Sequence, residues 1–136
     1  MNYVPFVTIE ARTSVAGLHY WPLAPASRFY LSSPHRHQFV ARVTALVGND
    51  ERQVEFHDLG DALFHALVGA AHHHHVMGEG GKSLLNFGIA SCETIARRCS
   101  VILTQEGYDV VSVSVSEDDE FTATVHLPHN HEELPA

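Results

Sequence analysis

The sequence predicts an α+β fold in the order ββααββ, a four-stranded antiparallel sheet with two helices on one face. Three observations carry that prediction. Val111, Val113 and Val115 alternate with Ser112, Ser114 and Ser116, the period-two pattern of a half-buried strand. Leu59, Ala62, Leu63, Ala66 and Leu67 recur at helical spacing, and so do Cys92, Ile95, Ala96, Cys99, Ile102 and Leu103. The apolar run from Phe39 to Val47 reads as a strand that opens on His35-Arg36-His37.

The elements follow in order. Tyr3 to about Thr13 carries Val4, Phe6, Val7 and Ile9 and has β character. Gly17 and the prolines at 22, 25 and 34 mark a loop-rich stretch from Trp21 to Pro34. The second strand runs from about Arg36 to Gly48, where Gly48-Asn49-Asp50-Glu51 signals a turn. Val54 to Phe56 is a short extended piece, and Asp58 opens the first helix. His72 to Gly88 is a connection holding Gly78, Gly80 and Gly81. Ser91 is placed to cap the second helix, and Gly107 suits the left-handed residue that ends it. Asp118-Asp119-Glu120 forms a turn into a last strand, Phe121 to Leu127. The polar tail from Pro128 to Ala136 is expected to fray.

The 136 residues, 1–136, fit one domain with one modest core. No stretch is apolar enough to span a bilayer, and no basic segment precedes a long apolar one at the start. The formal net charge is -8, and the few Lys and Arg are scattered, which argues against a nucleic-acid surface. Cys92 and Cys99 lie seven residues apart on one predicted helix, about 10 Å of rise and too far for a disulfide. A reducing, cytoplasmic environment is expected.

Histidine is the outlier, with 12 residues. His35 and His37 stand at i and i+2, so on a strand they share a face. His19 follows the first strand, and a hairpin between the first two strands brings it near His35. Three imidazoles with one open position suit a catalytic zinc ion. The plainer alternative is a solvent-facing His-x-His pair. Tyr20, Trp21, Phe29 and Tyr30 between these histidines could wall a pocket. The run His72 to His75 reads either as a solvated loop that binds metal adventitiously or as a source of one functional imidazole.

The chain resembles the 6-pyruvoyltetrahydropterin synthase and 6-carboxytetrahydropterin synthase family. The resemblance rests on a His after the first strand, His-x-His at the start of the second, and Val54-Glu55-Phe56-His57-Asp58-Leu59 before the first helix. It continues with His72-His73 at the family's Asp-His pair, Ala90-Ser91-Cys92-Glu93-Thr94 at a helix start, and Ser116-Glu117 near the end of a strand. Pro34-His35-Arg36-His37 and Ser91-Cys92-Glu93 are similar to its phage-type branch.

The resemblance implies the tunnelling fold and a homo-oligomer, trimer or hexamer, built around a β-barrel. Unpaired strand edges in so small a protein point to self-association independently. It also implies Zn2+ on His19, His35 and His37, and a pterin-like small-molecule substrate anchored by Glu117. A carboxylate can accept two hydrogen bonds side by side from such a ring. A solvated turn acid is the alternative for Glu117.

The family holds a general-base Cys in the loop before His-x-His, and this chain has none there. Ser27, Tyr30, Ser32 and Ser33 are the protic groups in that loop, and hydroxyls are weak bases at neutral pH. His72, His73 and Cys92 are the remaining acid–base candidates. Cys92 stands at a helix start, where the dipole favours a thiolate, but it also fits the apolar stripe. Glu93 is a second substrate-binding candidate or a backbone cap. Arg12, Arg28 and Arg36 could meet a substrate's phosphates.

Three functions follow as expectations. The first is a zinc-dependent lyase of the pterin synthase type, acting on a dihydroneopterin triphosphate-like substrate. The second is a non-catalytic pterin or purine-like binder on the same fold. The third is a histidine-rich metal-binding module.

Overall fold

A computed structural model describes residues 5–48, 51–71, 73–77 and 83–128. The elements are β1 (Val7–His19), a 3-10 helix (Ala26–Ser32), β2 (His35–Val47), α1 (Phe56–Ala70), β3 (His73–Met77), β4 (Ser83–Asn86), α2 (Cys92–Gln105), β5 (Val110–Glu117) and β6 (Phe121–His126). The strands form one sheet in the order β3-β4-β1-β2-β5-β6.

Two expectations need correction. The sheet among the described residues has six strands, not four, because the connection after α1 contains β3 and β4. Nor is it wholly antiparallel, since β1 and β4 pair in parallel through Gly17 with Leu85 and Leu18 with Asn86. The element order is therefore ββαββαββ. A glycine-bearing histidine run gives no apolar alternation, so its strands were not legible in periodicity. His72 and the tail beyond Pro128 lie outside the described residues.

Strand β1 extends to His19 instead of stopping near Thr13. Gly17 is thus a strand residue, and a Cβ on it would come within 2.7 Å of Phe39 and 2.8 Å of Phe87. That glycine serves close packing, not a turn. Strand β2 pairs with β1 over its full length, from Val7 opposite Val47 to His19 opposite His35.

Helix α1 begins at Phe56, two residues before the expected Asp58. The Glu55 side chain accepts a hydrogen bond from the Asp58 N–H at 3.0 Å and so acts as its cap. Leu59, Leu63, Ala66 and Leu67 are fully buried. In α2, Ser91 caps the Thr94 N–H at 3.2 Å, as expected. Ile95, Ala96, Cys99 and Leu103 of α2 are fully buried. Gly107 takes φ +98° just past the helix end. The two helices enclose one core with Phe39, Ala41, Val43 and Ala45 of β2 and Val113 and Val115 of β5. Both cysteines are free and buried.

β5 turns into β6 through Asp118 and Asp119, with φ of 53° and 62°. The Glu120 N–H closes the turn on the Glu117 carbonyl at 3.0 Å. Two successive left-handed residues suit the right-handed twist of a tight hairpin, and Asp tolerates that conformation better than most side chains. This turn sets Glu117 and Asp118 against the start of β2.

Candidate metal centre and adjoining pocket

His19 ends β1, His35 opens β2 directly opposite it, and His37 follows on the same face of β2. The His19 ring centroid lies 4.6 Å from that of His35 and 5.2 Å from that of His37, and His35 and His37 are 5.0 Å apart. One ring nitrogen from each residue lies within 4.8 Å of the others. The buried Phe39 ring supports two of the imidazoles, 5.1 Å from His19 and 5.8 Å from His37. The hairpin register thus brings together the three histidines singled out by spacing.

Each Nδ1 is already engaged. His19 Nδ1 meets the Ala90 carbonyl at 3.0 Å, and His35 Nδ1 meets the Ser33 carbonyl at 2.9 Å. His37 Nδ1 meets Asp118 Oδ2 at 2.6 Å. Carbonyls and carboxylates only accept, so each Nδ1 donates a hydrogen and each neutral ring keeps its lone pair on Nε2. Fixing one ring nitrogen in this way is how proteins prepare the other for a metal. His19 Nε2 and His37 Nε2 are buried and have no hydrogen-bond partner. Leaving buried polar atoms unpaired is costly unless a ligand takes them up. Three neutral nitrogen donors therefore fit a divalent metal ion and leave further coordination positions open.

Glu117 stands beside this group at the end of β5, opposite Phe39. Its Oε1 is 3.1 Å from His19 Nε2 and its Oε2 is 3.6 Å from His37 Nε2. The Cys92 thiol donates to Glu117 Oε1 over 3.6 Å. Burial opposes charge on His19, but Glu117 and the Ala90 carbonyl together outweigh it and raise its pKa above the usual value. The contact with His19 in turn holds the Glu117 carboxyl below its ordinary range.

The setting of Cys92 opposes a thiolate. Burial first, and then the charges of Glu117 and Glu93, push its thiol up to about 12. The helix-start dipole is outweighed, so the thiol remains protonated at neutral pH. Cys99 is fully buried, and burial alone pushes it to about 12 as well, as befits a core residue.

A pocket of about 390 Å³ opens beside the histidines. His19, His35, Cys92, Glu93 and Glu117 line it, with Tyr20, Trp21 and Leu31 as further walls. Both expected substrate-binding acids thus reach the same cavity. Phe29 and Tyr30 do not line it. They sit on the 3-10 helix with 71% and 69% of their surface exposed. Arg12, Arg28 and Arg36 do not line it either, and Arg28 is bonded to the neighbouring Ser27 carbonyl at 2.9 Å.

His72 lies outside the described residues. The backbone of His73 pairs with Asn86, which pairs with Leu18, so His73 stands two strands from the residue before His19. Spacing missed the Asp118 carboxylate on His37. The Asp-Asp doublet signalled only a turn, and the turn's place against β2 depends on strand pairing.

No protein-family model matches the chain, and neither does any curated protein. Solved structures do. The 6-pyruvoyl tetrahydropterin synthase of Caenorhabditis elegans aligns over 94% of this chain and 100% of its own, at 16% identity and TM-score 0.59. An uncharacterised protein of Wolinella succinogenes aligns over 90% and 99%, at 16% identity and TM-score 0.55. The 6-pyruvoyl tetrahydropterin synthase of Plasmodium falciparum aligns over 90% and 98%, at 15% identity and TM-score 0.50. Among the described residues, the fold of this chain is the mostly antiparallel α+β fold of those proteins. No helix among the described residues is long and apolar enough to cross a membrane.

Proposed function

We propose that this chain is a zinc-dependent enzyme of the tetrahydropterin synthase type, acting on a dihydroneopterin triphosphate-like substrate. The observation that carries the reading is the convergence of three imidazoles, each fixed through Nδ1, beside a pocket that His19 and His35 line together with Glu117. His19, His35 and His37 would hold the zinc, which when bound supplies polarisation of a substrate oxygen. Glu117 accepts hydrogen bonds from the edge of the flat ring. Cys92, as a neutral thiol, donates to Glu117 and steers it. Glu93 sits at the pocket wall as a second acceptor. His72 or His73 moves the proton, since an imidazole titrates near neutrality. The protein works as a cytoplasmic homo-oligomer, trimer or hexamer. An outer strand, β6, with Phe121 71% exposed, supports self-association.

A second reading is a pterin-like ligand binder without turnover. It is favoured by the chemistry of the pocket lining, where the one thiol is pushed up to about 12 and no cysteine stands in the loop between His19 and His35.

Metal-loaded protein incubated with dihydroneopterin triphosphate is expected to release triphosphate. His37→Ala should lose about one zinc per subunit and that release together. Saturable quenching of pterin fluorescence without release would select the binder. Absence of both would reject the pterin reading, and unchanged zinc in His37→Ala would reject the metal centre.

A further inference from the structure

We infer that Asp118 is the positioning residue of the metal centre: it locks His37 into the tautomer that presents Nε2 to the ion. The inference rests on the metal reading above and adds a residue to it. His19 and His35 are oriented by backbone carbonyls, which no side-chain change removes. Of the three Nδ1 atoms, that of His37 is the one met by a side chain, and by a charged one. The carboxylate is held from two sides. Its Oδ2 accepts from His37 Nδ1 at 2.6 Å, and its Oδ1 accepts from the Gln38 N–H at 2.8 Å. The Asp118 N–H donates to the Gln38 carbonyl at 2.8 Å, so backbone and side chain both clamp the turn onto β2.

Asp118, whose carboxylate meets His37, has a left-handed φ of 53°. Asn accepts that conformation as readily as Asp does. In Asp118→Asn, one oxygen remains to accept from Gln38, and the amide NH2 then faces Nδ1. A donor facing Nδ1 forces the ring hydrogen onto Nε2, where it blocks ligation. Asp119 is the natural control. It shares the left-handed conformation, with φ 62°, and the same charge, but its contacts go to Arg42 and Ser116.

The experiment compares zinc affinity, by chelator competition, in the full-length wild type, Asp118→Asn and Asp119→Asn. Nitrogen NMR of the metal-free proteins reads the His37 tautomer. Asp118→Asn is expected to bind zinc about 10- to 100-fold more weakly. Its His37 should change from the Nδ1–H to the Nε2–H form. Asp119→Asn should stay within about twofold of wild type in affinity and keep the tautomer, as expected of a change that leaves the contact between His37 and Asp118 intact. Wild-type affinity in Asp118→Asn, an unchanged tautomer, or an equal loss in Asp119→Asn would overturn the inference while leaving the metal centre standing. A wild type that binds no zinc tightly would overturn both.

Discussion

Gly17 and Phe39 touch where a side chain would be expected: a Cβ on Gly17 would lie 2.7 Å from the Phe39 ring. Phe39 is fully buried, and its ring sits beneath His19 and His37. Phe87 closes the other side, 2.8 Å from the same point and 4.9 Å from Phe39 between ring centroids. Both rings are buried in the core. Gly17→Ala is therefore expected to destabilise the protein by about 1–3 kcal/mol through overpacking. It should also weaken zinc binding, because the ring that moves is the one supporting two ligands. Gly60→Ala provides the opposite sign. That glycine lies in α1 with nothing within 4 Å of the added carbon, so the change should stabilise by about 0.5–1 kcal/mol. Urea unfolding of both variants checks the pair. A neutral Gly17→Ala would mean that the two rings are free to shift.

The thiols are expected to be slow. Cys92 is 7% exposed and Cys99 fully buried, and both are pushed from 9.0 to about 12. That displacement lowers the thiolate fraction about a thousandfold at neutral pH. In native protein a chromogenic disulfide reagent should label neither cysteine at the rate of an exposed thiol, and both should react in denaturant. Cys92 should react before Cys99, and a ligand filling the pocket should protect Cys92 alone, since only Cys92 lines it. Rapid native labelling of Cys92 at pH 7 would restore it as a nucleophile or base.

Stability of the metal-free protein should depend on pH through His19 and Glu117. The folded-state pKa of His19 is raised above 6.5, so its contribution is fully present below 6.5 and is lost as pH rises through the raised value. That of Glu117 is lowered below 4.5, so its contribution is present above 4.5 and is lost as pH falls through the lowered value. The pair thus supports the fold most between about 4.5 and 6.5 and less on either side. Zinc should remove the alkaline decline, because it binds neutral imidazoles and holds more tightly as pH rises. Urea midpoints measured from pH 4 to 9, with and without zinc, read both limbs. Glu117→Gln should flatten them, and an unaltered profile in that variant would assign the pH dependence elsewhere.

Several parts of the site were legible in residue order. His35 and His37 share a face because a strand repeats every two residues, whatever surrounds it. The stripe from Cys92 to Leu103 specified α2 and its buried side, and Ser91 marked its start. The apolar pattern after Asp58 specified α1 as well, but not its first residue, because Glu55 caps from a position that periodicity does not reach. These are local properties, fixed by backbone geometry over a few residues.

What lies between segments distant in sequence had to await tertiary structure. Strand β4 depends on pairing with β1, and β3 on pairing with β4, not on any pattern of their own. The Cys92 thiol looked activated by its helix, yet burial and the Glu117 carboxylate, 25 residues away in sequence, decide its protonation. Asp118 reaches His37 across 81 positions, and only the meeting of the β5–β6 turn with the start of β2 puts them 2.6 Å apart. The sequence alone determined which residue types could bind a metal and which face of β2 would carry them. Tertiary structure decided which nitrogens were left free to do so, because a ring's tautomer is set by its neighbour in space.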